Sequence, residues 1–186
     1  MFENKIIKLR KLSTNDYSTY HNWRNDIEVM KTTSPQLDIY TLEETEQFIS
    51  VIASQANAKG YMIEHKESGQ TVGIVSLINI DYKNRSAECI LDIGARDMWG
   101  KGIGTSAMSL ILGFAFYELN LHRVYLQVFS FNERAIKLLR QAGFRLAFIG
   151  QYDTNGYSTP KTDRMKLRRK TIFSSDPLST FVSYLK

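Results

Sequence analysis

The stretch Met98-Trp99-Gly100-Lys101-Gly102-Ile103-Gly104-Thr105 stands between a predicted strand and a long apolar segment that predicts a helix. Glycine at every second position lets the main chain approach a ligand closely, because no Cβ is in the way. The start of the helix adds unpaired N–H groups and the positive end of the helix dipole. This arrangement suits a phosphate or pyrophosphate, and Lys101 adds positive charge. A tight strand-to-helix turn without a ligand explains the glycines alone equally well.

Two known phosphate-binding loops fit this stretch poorly. A P-loop requires the pattern GxxxxGK[ST], and no lysine stands in that position. Residues 102–107 read as the dinucleotide-binding pattern GxGxxA, but a connector separates them from the preceding strand. The next strand, predicted over 123–130, does not end in an acid that could hold a ribose. A dinucleotide-binding enzyme is therefore the weaker alternative.

Outward from this stretch, the periodicity of apolar residues predicts the order βαα-βββ-α-β-α-β-β. Capping boxes at Ser13 and Thr41 start the first two helices, and Gly60 is predicted to end the second one. Strands are predicted at 6–12, 61–65, 71–80, 86–94, 123–130, 144–152 and 164–169, and the later helices at 105–119 and 132–142. The economical architecture is α+β, a mixed sheet with helices on both faces.

Composition favours a single soluble domain of 186 residues. Cys89 is the only cysteine, which excludes an internal disulfide and indicates a reducing compartment. The sequence shows neither a signal peptide nor a membrane span, so a cytoplasmic location is expected. His21, His65 and His122 are too dispersed to predict a metal site. Residues 161–170 include six Lys or Arg, interpreted as the solvated face of a strand and not as a nucleic-acid site.

Several segments carry a family resemblance. The run 99–105, WGKGIGT, resembles the [QR]xxGx[GA] acyl-CoA loop of the GNAT N-acetyltransferases, with tryptophan at the position of Gln or Arg. Further segments resemble the RimJ/RimL branch, which acetylates ribosomal-protein N-termini, and these are 23–26 (WRND), 84–88 (NRSAE), 121–124 (LHRV), 130–135 (SFNERA) and 142–144 (AGF). Spermidine acetyltransferases share much of this pattern. The resemblance covers roughly residues 7–167.

The resemblance implies the GNAT acyl-CoA N-acyltransferase fold, with a mostly antiparallel central sheet splayed at the cofactor site. It implies a domain over 1–170 and leaves 171–186 as a C-terminal extension of unknown role. The implied activity moves an acetyl group from acetyl-CoA onto a primary amine of a protein N-terminus, a polyamine, an amino sugar or an aminoglycoside-like molecule. A non-catalytic acyl-CoA-binding module on the same fold is the alternative. Dimers are common among similar proteins, so a homodimer is one expected assembly.

The resemblance also assigns cofactor roles. The main chain of Leu91, Asp92 and Ile93 would pair with the pantetheine arm. Asn132 would hydrogen-bond the cofactor near its thiol, where Ala135 leaves space, although Asn132 is also a good helix N-cap. The pyrophosphate would be wrapped by Trp99, Gly100, Lys101, Gly102, Ile103, Gly104 and Thr105.

Acetyl transfer requires an unprotonated amine, whereas an alkyl ammonium has a pKa near 10. Glu88 is the candidate general base, because it lies on the strand that leads to the cofactor and shares a face with Ile90 and Asp92. Glu88 could also attract a cationic substrate. A structural acid that pairs with Arg85 or Arg123 is the competing interpretation.

Substrate-side residues are predicted after the first helix. Tyr20 or Trp23 is expected to line the acceptor pocket, and Asp26 with Glu28 to favour an amine; an unchanged acceptor KM after changing both acids would refute this. Many GNAT enzymes, which this chain resembles, place a leaving-group tyrosine where this chain has Leu139. Ser130, Tyr152 or water are the candidate substitutes, and the sequence does not identify the acceptor.

Overall fold

A computed structural model describes residues 2–34, 37–150, 153–154, 157–158 and 162–168. The strands are β1 Ile7–Lys11, β2 Lys59–His65, β3 Thr71–Asp81, β4 Ser86–Ile93, β5 Arg123–Phe129, β6 Arg145–Gly150, β7 Asp153–Thr154, β8 Tyr157–Ser158 and β9 Thr162–Arg168. The helices are α1 Tyr17–Arg24, α2 Ile27–Thr33, α3 Leu42–Ser54, α4 Ile103–Gly113 and α5 Glu133–Gln141.

Seven strands form one mixed sheet in the order β1-β2-β3-β4-β5-β9-β6. The pairing of β4 with β5 is parallel, and the other neighbouring pairs are antiparallel. Strands β7 and β8 form a separate short hairpin. The predicted α+β architecture with a mostly antiparallel sheet is therefore confirmed.

The sheet opens between its two central strands. Strands β4 and β5 are paired from Ser86 opposite Arg123 to Glu88 opposite Tyr125. Beyond that point β4 continues to Ile93 and β5 to Phe129, with no further pairing between these two described strands. The strands therefore diverge from Glu88 onward and leave main-chain groups of both edges facing a gap, as predicted for a splayed sheet.

Two apolar clusters lie on opposite faces of the sheet. One face packs against α4 and the residues that follow it, and its core includes Cys89, Met108 and Phe116. Burial raises the pKa of the Cys89 thiol to about 12, as expected for a free cysteine that packs as a small apolar residue. The other cluster joins the sheet to α1 and α3 and contains Leu12, Tyr20, Ile49, Ile52, Met62 and Ile74.

The helices differ from the prediction in three places. Helix α2 was not expected, because seven residues are too few for a clear apolar periodicity. The prediction for Gly60 was wrong: α3 ends at Ser54 and Gly60 lies in β2, where a Cβ would overlap Ile52. Helix α4 ends at Gly113 and continues as a π-helical turn over Phe114–Glu118, within the segment predicted as one helix.

Both capping boxes were predicted correctly, at Ser13 before the short turn that leads into α1 and at Thr41 before α3. Glu44 Oε2 accepts a hydrogen bond from Thr41 N at 2.7 Å, and Glu44 N donates to Thr41 Oγ1 at 3.2 Å. None of the helices in the described part of the chain is long and apolar enough to cross a membrane. The same residues contain no cluster of His, Cys, Asp and Glu that could hold a metal ion. The predicted extension over 171–186 and Tyr152 lie outside the described residues.

Candidate active site

The loop that leads into α4 has an open main chain. Gly100 and Gly102 both adopt φ +77°, and a Cβ on either would meet nothing within 4 Å. That backbone region is unfavourable for residues with a side chain, so the sequence GKG permits this path. Gly102 is the N-cap of α4, and no described side chain caps the helix. The first N–H groups of α4 are therefore suited to an anionic ligand, which fits the pyrophosphate of acetyl-CoA.

The other residues of the loop take different positions. A Cβ on Gly104 would lie 2.9 Å from Leu138 Cδ1, so this glycine allows α4 to pack closely against α5. Ile103 is buried in the core and offers only its main chain to a ligand. Lys101 is exposed, and Thr105 is half-buried in the first turn of α4. The third glycine thus serves packing, whereas the first two shape the loop.

Trp99 ties the loop to the end of β4. Its indole Nε1 donates a hydrogen bond to the carbonyl of Ile93 at 2.7 Å. The Arg134 guanidinium of α5 lies over the indole ring, 3.9 Å from its centre, which is a cation–π geometry. Sequence alone predicted Trp99 at the pyrophosphate and gave no signal for these two contacts.

The direction of main-chain groups along β4 narrows the predicted pantetheine contacts. The Arg85 carbonyl accepts from Arg123 N of β5 at 3.1 Å. Alternate residues of a strand direct their main-chain groups to the same edge, so Leu91 and Ile93 face the gap while Asp92 faces β3. Because the Ile93 carbonyl already accepts from Trp99, Leu91 has the main chain best placed for a ligand in the gap.

Asn132 is the N-cap of α5, as the capping alternative predicted. Its Oδ1 accepts from Ala135 N at 3.1 Å, and its Nδ2 lies 3.5 Å from the Thr32 carbonyl of α2. Asn132 thereby connects two helices that lie far apart in sequence. Ala135 is partly buried against the core and leaves α5 narrow at this end. The predicted hydrogen bond from Asn132 to the cofactor stays a prediction.

Glu88 lies where the gap begins, since its pairing with Tyr125 is the last one between β4 and β5. Its side chain is partly buried, and its Oε2 accepts from Asn79 Nδ2 at 3.3 Å. Among the described side chains, neither Arg85 nor Arg123 forms a salt bridge with it. The competing interpretation as a salt-bridged structural acid therefore has no support in this geometry.

A second carboxylate on the same face of β4 was not predicted as a side-chain site. Tyr20 lies on α1, and its hydroxyl donates a hydrogen bond of 3.1 Å to Asp92 Oδ2. Burial raises the pKa of Asp92 to about 6, although the Tyr20 hydroxyl and the positive charge of Arg24 act in the opposite direction. Burial and the charge of Asp92 also raise the pKa of Tyr20 well above its ordinary value. The pair is thus a tyrosine in its neutral form beside a carboxylate with a pKa of about 6.

Trp23 lies against the end of β4, and Asp26 stands at the start of α2. A Cβ on Gly94 would overlap the Trp23 ring, so the indole packs directly on the main chain at the end of β4. Asp26 caps α2, since its Oδ1 accepts from Glu28 N at 2.9 Å, and its Oδ2 lies 3.1 Å from Arg96 Nε. Glu28 pairs with Lys31 at 2.6 Å. Both acids expected to favour an amine therefore have partners within the chain.

At the expected position of a leaving-group acid, the structure has an apolar side chain. Leu139 is 4% exposed and belongs to the core cluster against α4. Ser130 follows the last residue of β5 and is exposed. No acid therefore replaces the tyrosine at Leu139 itself.

Comparison with known proteins places this geometry in a family. The acetyltransferase (GNAT) domain model matches residues 7–145. A spermidine N(1)-acetyltransferase of Escherichia coli is 30% identical over 138 residues, which cover 74% of this chain and 72% of the enzyme. A ribosomal N-acetyltransferase of Bacillus subtilis, described as putative and named YdaF, is 38% identical over 76 residues, 41% of each chain.

A solved structure supports the same assignment. The spermidine N-acetyltransferase of Vibrio cholerae, in complex with CoA and spermine, superposes with a TM-score of 0.76 at 27% identity and covers 89% of this chain and 96% of that enzyme. The chain belongs to the GNAT acetyltransferase family. It is an acetyl-CoA-dependent N-acetyltransferase.

Proposed function

We propose that this enzyme acetylates a primary amino group of a polyamine such as spermidine. The observation that carries the proposal is a pair of partly buried carboxylates, Glu88 and Asp92, on one face of β4. Neither forms a salt bridge within the described part of the chain. Buried acids without a cationic partner are costly, and a bound ammonium group would offset that cost. The similarity to spermidine acetyltransferases over most of the chain supports the same acceptor class.

The proposed placement of the donor follows from the divergence of β4 and β5. The N–H groups at the start of α4 hold the pyrophosphate, and the Leu91 main chain pairs with the pantetheine arm. The thioester then lies between the strands, beside the face that carries the two carboxylates. The amine attacks the carbonyl carbon, the C–S bond breaks, and the thiolate leaves. A thiolate with a pKa of about 8.5 is a tolerable leaving group without an acid at Leu139.

A protein N-terminus is the second candidate acceptor. The partial similarity to the ribosomal N-acetyltransferase of Bacillus subtilis and the RimJ/RimL-like segments favour it. An N-terminal amine has a pKa near 8 and needs less help with deprotonation than a polyamine does. The two acceptors thus differ in charge and in size, which makes them separable by kinetics.

A thiol-release assay with acetyl-CoA tests the choice. Spermidine and spermine should give a kcat/KM at least about 100-fold above peptides that begin with Ala or Ser, because the peptides lack a second cationic amine. A preference for the peptides would replace the polyamine by a protein N-terminus. Binding of acetyl-CoA in isothermal titration without turnover of any amine would instead indicate a non-catalytic acyl-CoA-binding module, and NAD serves as the negative control.

We also propose a cytoplasmic location, which suits both the reducing compartment indicated by the lone Cys89 and a supply of acetyl-CoA. The homodimer stays a prediction. Size-exclusion chromatography with light scattering measures it directly, and a monomer at micromolar concentration would contradict it.

A further inference from the structure

We propose that Asp92, positioned by the hydroxyl of Tyr20, accepts the proton from the acceptor amine, in place of Glu88. The inference rests on the proposed amine acetylation and deepens it by assigning the base.

The place of Asp92 in the sheet is the first support. Glu88 lies at the last paired position of β4 and β5, whereas Asp92 lies further along β4, beside the opened part of the gap. Asp92 follows Leu91, whose main chain faces that gap. Since neighbouring side chains of a strand point to opposite faces, Leu91 packs toward the α4 core and Asp92 faces α1. A thioester held along Leu91 therefore has Asp92 beside it on the α1 face.

The surroundings of Asp92 are the second support. Tyr20 of α1 donates the 3.1 Å hydrogen bond, and Ile74 lies opposite on β3. Arg24 also comes from α1 and is held over the Tyr40 ring, 3.5 Å from its centre. Tyr20 and Arg24 are the ionisable groups of neighbouring elements that act on Asp92. On β4 itself, Glu88 lies four residues before Asp92 on the same face. A single neutral donor fixes the carboxylate without neutralising it, so it can receive a proton.

The third support is a further polar group on the face of the sheet that carries Glu88 and Asp92. Ser76 of β3 lies opposite Ile90, between the positions of Glu88 and Asp92. Its hydroxyl is fully buried and has no hydrogen-bond partner among the residues described here. Cross-strand neighbours share a face, so this hydroxyl belongs to the same surface as both carboxylates. A buried hydroxyl without a partner is costly in a purely structural surface, which sets this part of the sheet apart from the apolar core around it.

The proposed step balances as follows. The bound ammonium gives one proton to the Asp92 carboxylate, and the free amine forms the C–N bond with the thioester carbonyl. Collapse of the adduct breaks the C–S bond, the nitrogen loses its second proton to solvent, and the thiolate takes up one proton. Asp92 returns its proton to solvent, so each turnover releases one proton overall. Its pKa near 6 leaves the carboxylate ionised at neutral pH and ready to accept.

Asp92→Asn tests the role of the base, and Glu88→Gln tests the neighbouring carboxylate of the proposed acceptor site. Both variants replace a carboxylate by an amide of the same shape on the same face of β4. With spermidine and saturating acetyl-CoA, Asp92→Asn should lower kcat about 100-fold or more, whereas Glu88→Gln should act mainly by raising the acceptor KM and should lower kcat less than about fivefold. The Kd for CoA should stay within about twofold of wild type in both variants, which shows that the fold and the donor site are intact.

Tyr20→Phe tests the positioning role through the pH profile. The wild-type kcat/KM should rise with an acidic limb near pH 6, because the carboxylate must be ionised. Loss of the hydroxyl removes a contact that lowers the pKa of Asp92, so the limb should move to higher pH and the activity should recover in alkaline buffer. A packing defect alone would lower the activity equally at every pH.

Three results would overturn the inference. The first is Asp92→Asn with a kcat within about threefold of wild type, and the second is a raised acceptor KM at unchanged kcat, which would reduce Asp92 to an attraction for the cation. The third is an unshifted pH profile in Tyr20→Phe, which would remove Tyr20 from the assignment. Wild-type protein that acetylates no amine would refute the proposed function itself, and that result is read before any variant is made.

Discussion

The two faces of β4 obtain their polar groups from differently arranged parts of the sequence. Toward α4, the proposed donor side comes from one continuous stretch, in which Gly100 and Gly102 shape the loop and Gly102 starts the helix. Toward α1, the proposed acceptor side joins residues from distant parts of the sequence, such as Tyr20 with Asp92. The proposed donor side offers main-chain groups, and the proposed acceptor side offers side chains. Main-chain recognition can be specified by a short motif, whereas side-chain recognition depends on how separate helices pack.

The largest effect is expected from a substitution of Gly102 that disrupts the proposed donor side. Valine there should raise the Kd for CoA at least about 100-fold, because a β-branched residue at φ +77° strains the loop and places its side chain where the ligand would lie. Isothermal titration with CoA measures the change.

Gly69→Val is the matched control for that experiment. Gly69 adopts φ +67° in the turn between β2 and β3, and a Cβ there also meets nothing within 4 Å. Both variants should therefore lose similar thermal stability, but only Gly102→Val should lose CoA affinity. Equal affinities in the two variants would show that the glycine loop does not hold the donor.

A smaller effect, on stability, is expected from Asp92 on the proposed acceptor side. Asp92 has an ordinary pKa near 3.9 in the unfolded chain and one of about 6 in the fold. Between these values the folded state binds more protons than the unfolded state, so this group makes the free energy of unfolding fall as pH rises. Well above pH 6, the ionised Asp92 lowers the free energy of unfolding by its full amount, about 1 to 3 kcal/mol. Asp92→Asn should therefore be the more stable protein at pH 7.5.

Thermal unfolding at two pH values checks this sign. The Tm advantage of Asp92→Asn should be present at pH 7.5 and should shrink as the pH approaches 4, where the folded carboxyl group is protonated and the unfolded one is about half protonated, so that little of the cost remains. A variant that is less stable than wild type at pH 7.5 would show that Asp92 contributes to the fold through its charge. Activity lost while stability is gained is the behaviour expected of a functional residue.

The same contrast explains what could be predicted from the sequence. The positions of the seven sheet strands along the chain and the capping box at Thr41 follow from local periodicity and local motifs, and the splayed sheet follows from the family resemblance; the structure confirms them. Helix α2 was missed because a seven-residue helix gains its stability from contacts with the rest of the fold. Gly60 was misread as a helix end, because its role is to let α3 pack on β2. The partnership of Tyr20 with Asp92 spans 72 positions and has no local signature.

The smallest expected effect concerns the acids at the start of α2. The double variant Asp26→Asn, Glu28→Gln should change the acceptor KM less than about twofold, because both carboxylates already have cationic partners in Arg96 and Lys31. Asparagine is as good an N-cap as aspartate, and exposed ion pairs contribute little, so the free energy of unfolding should fall by less than about 1 kcal/mol. Acceptor kinetics and thermal unfolding measure the two quantities. A tenfold higher KM would mean that the acceptor site extends to α2, and the acceptor side would then include an exposed acidic edge as well as the buried face of β4.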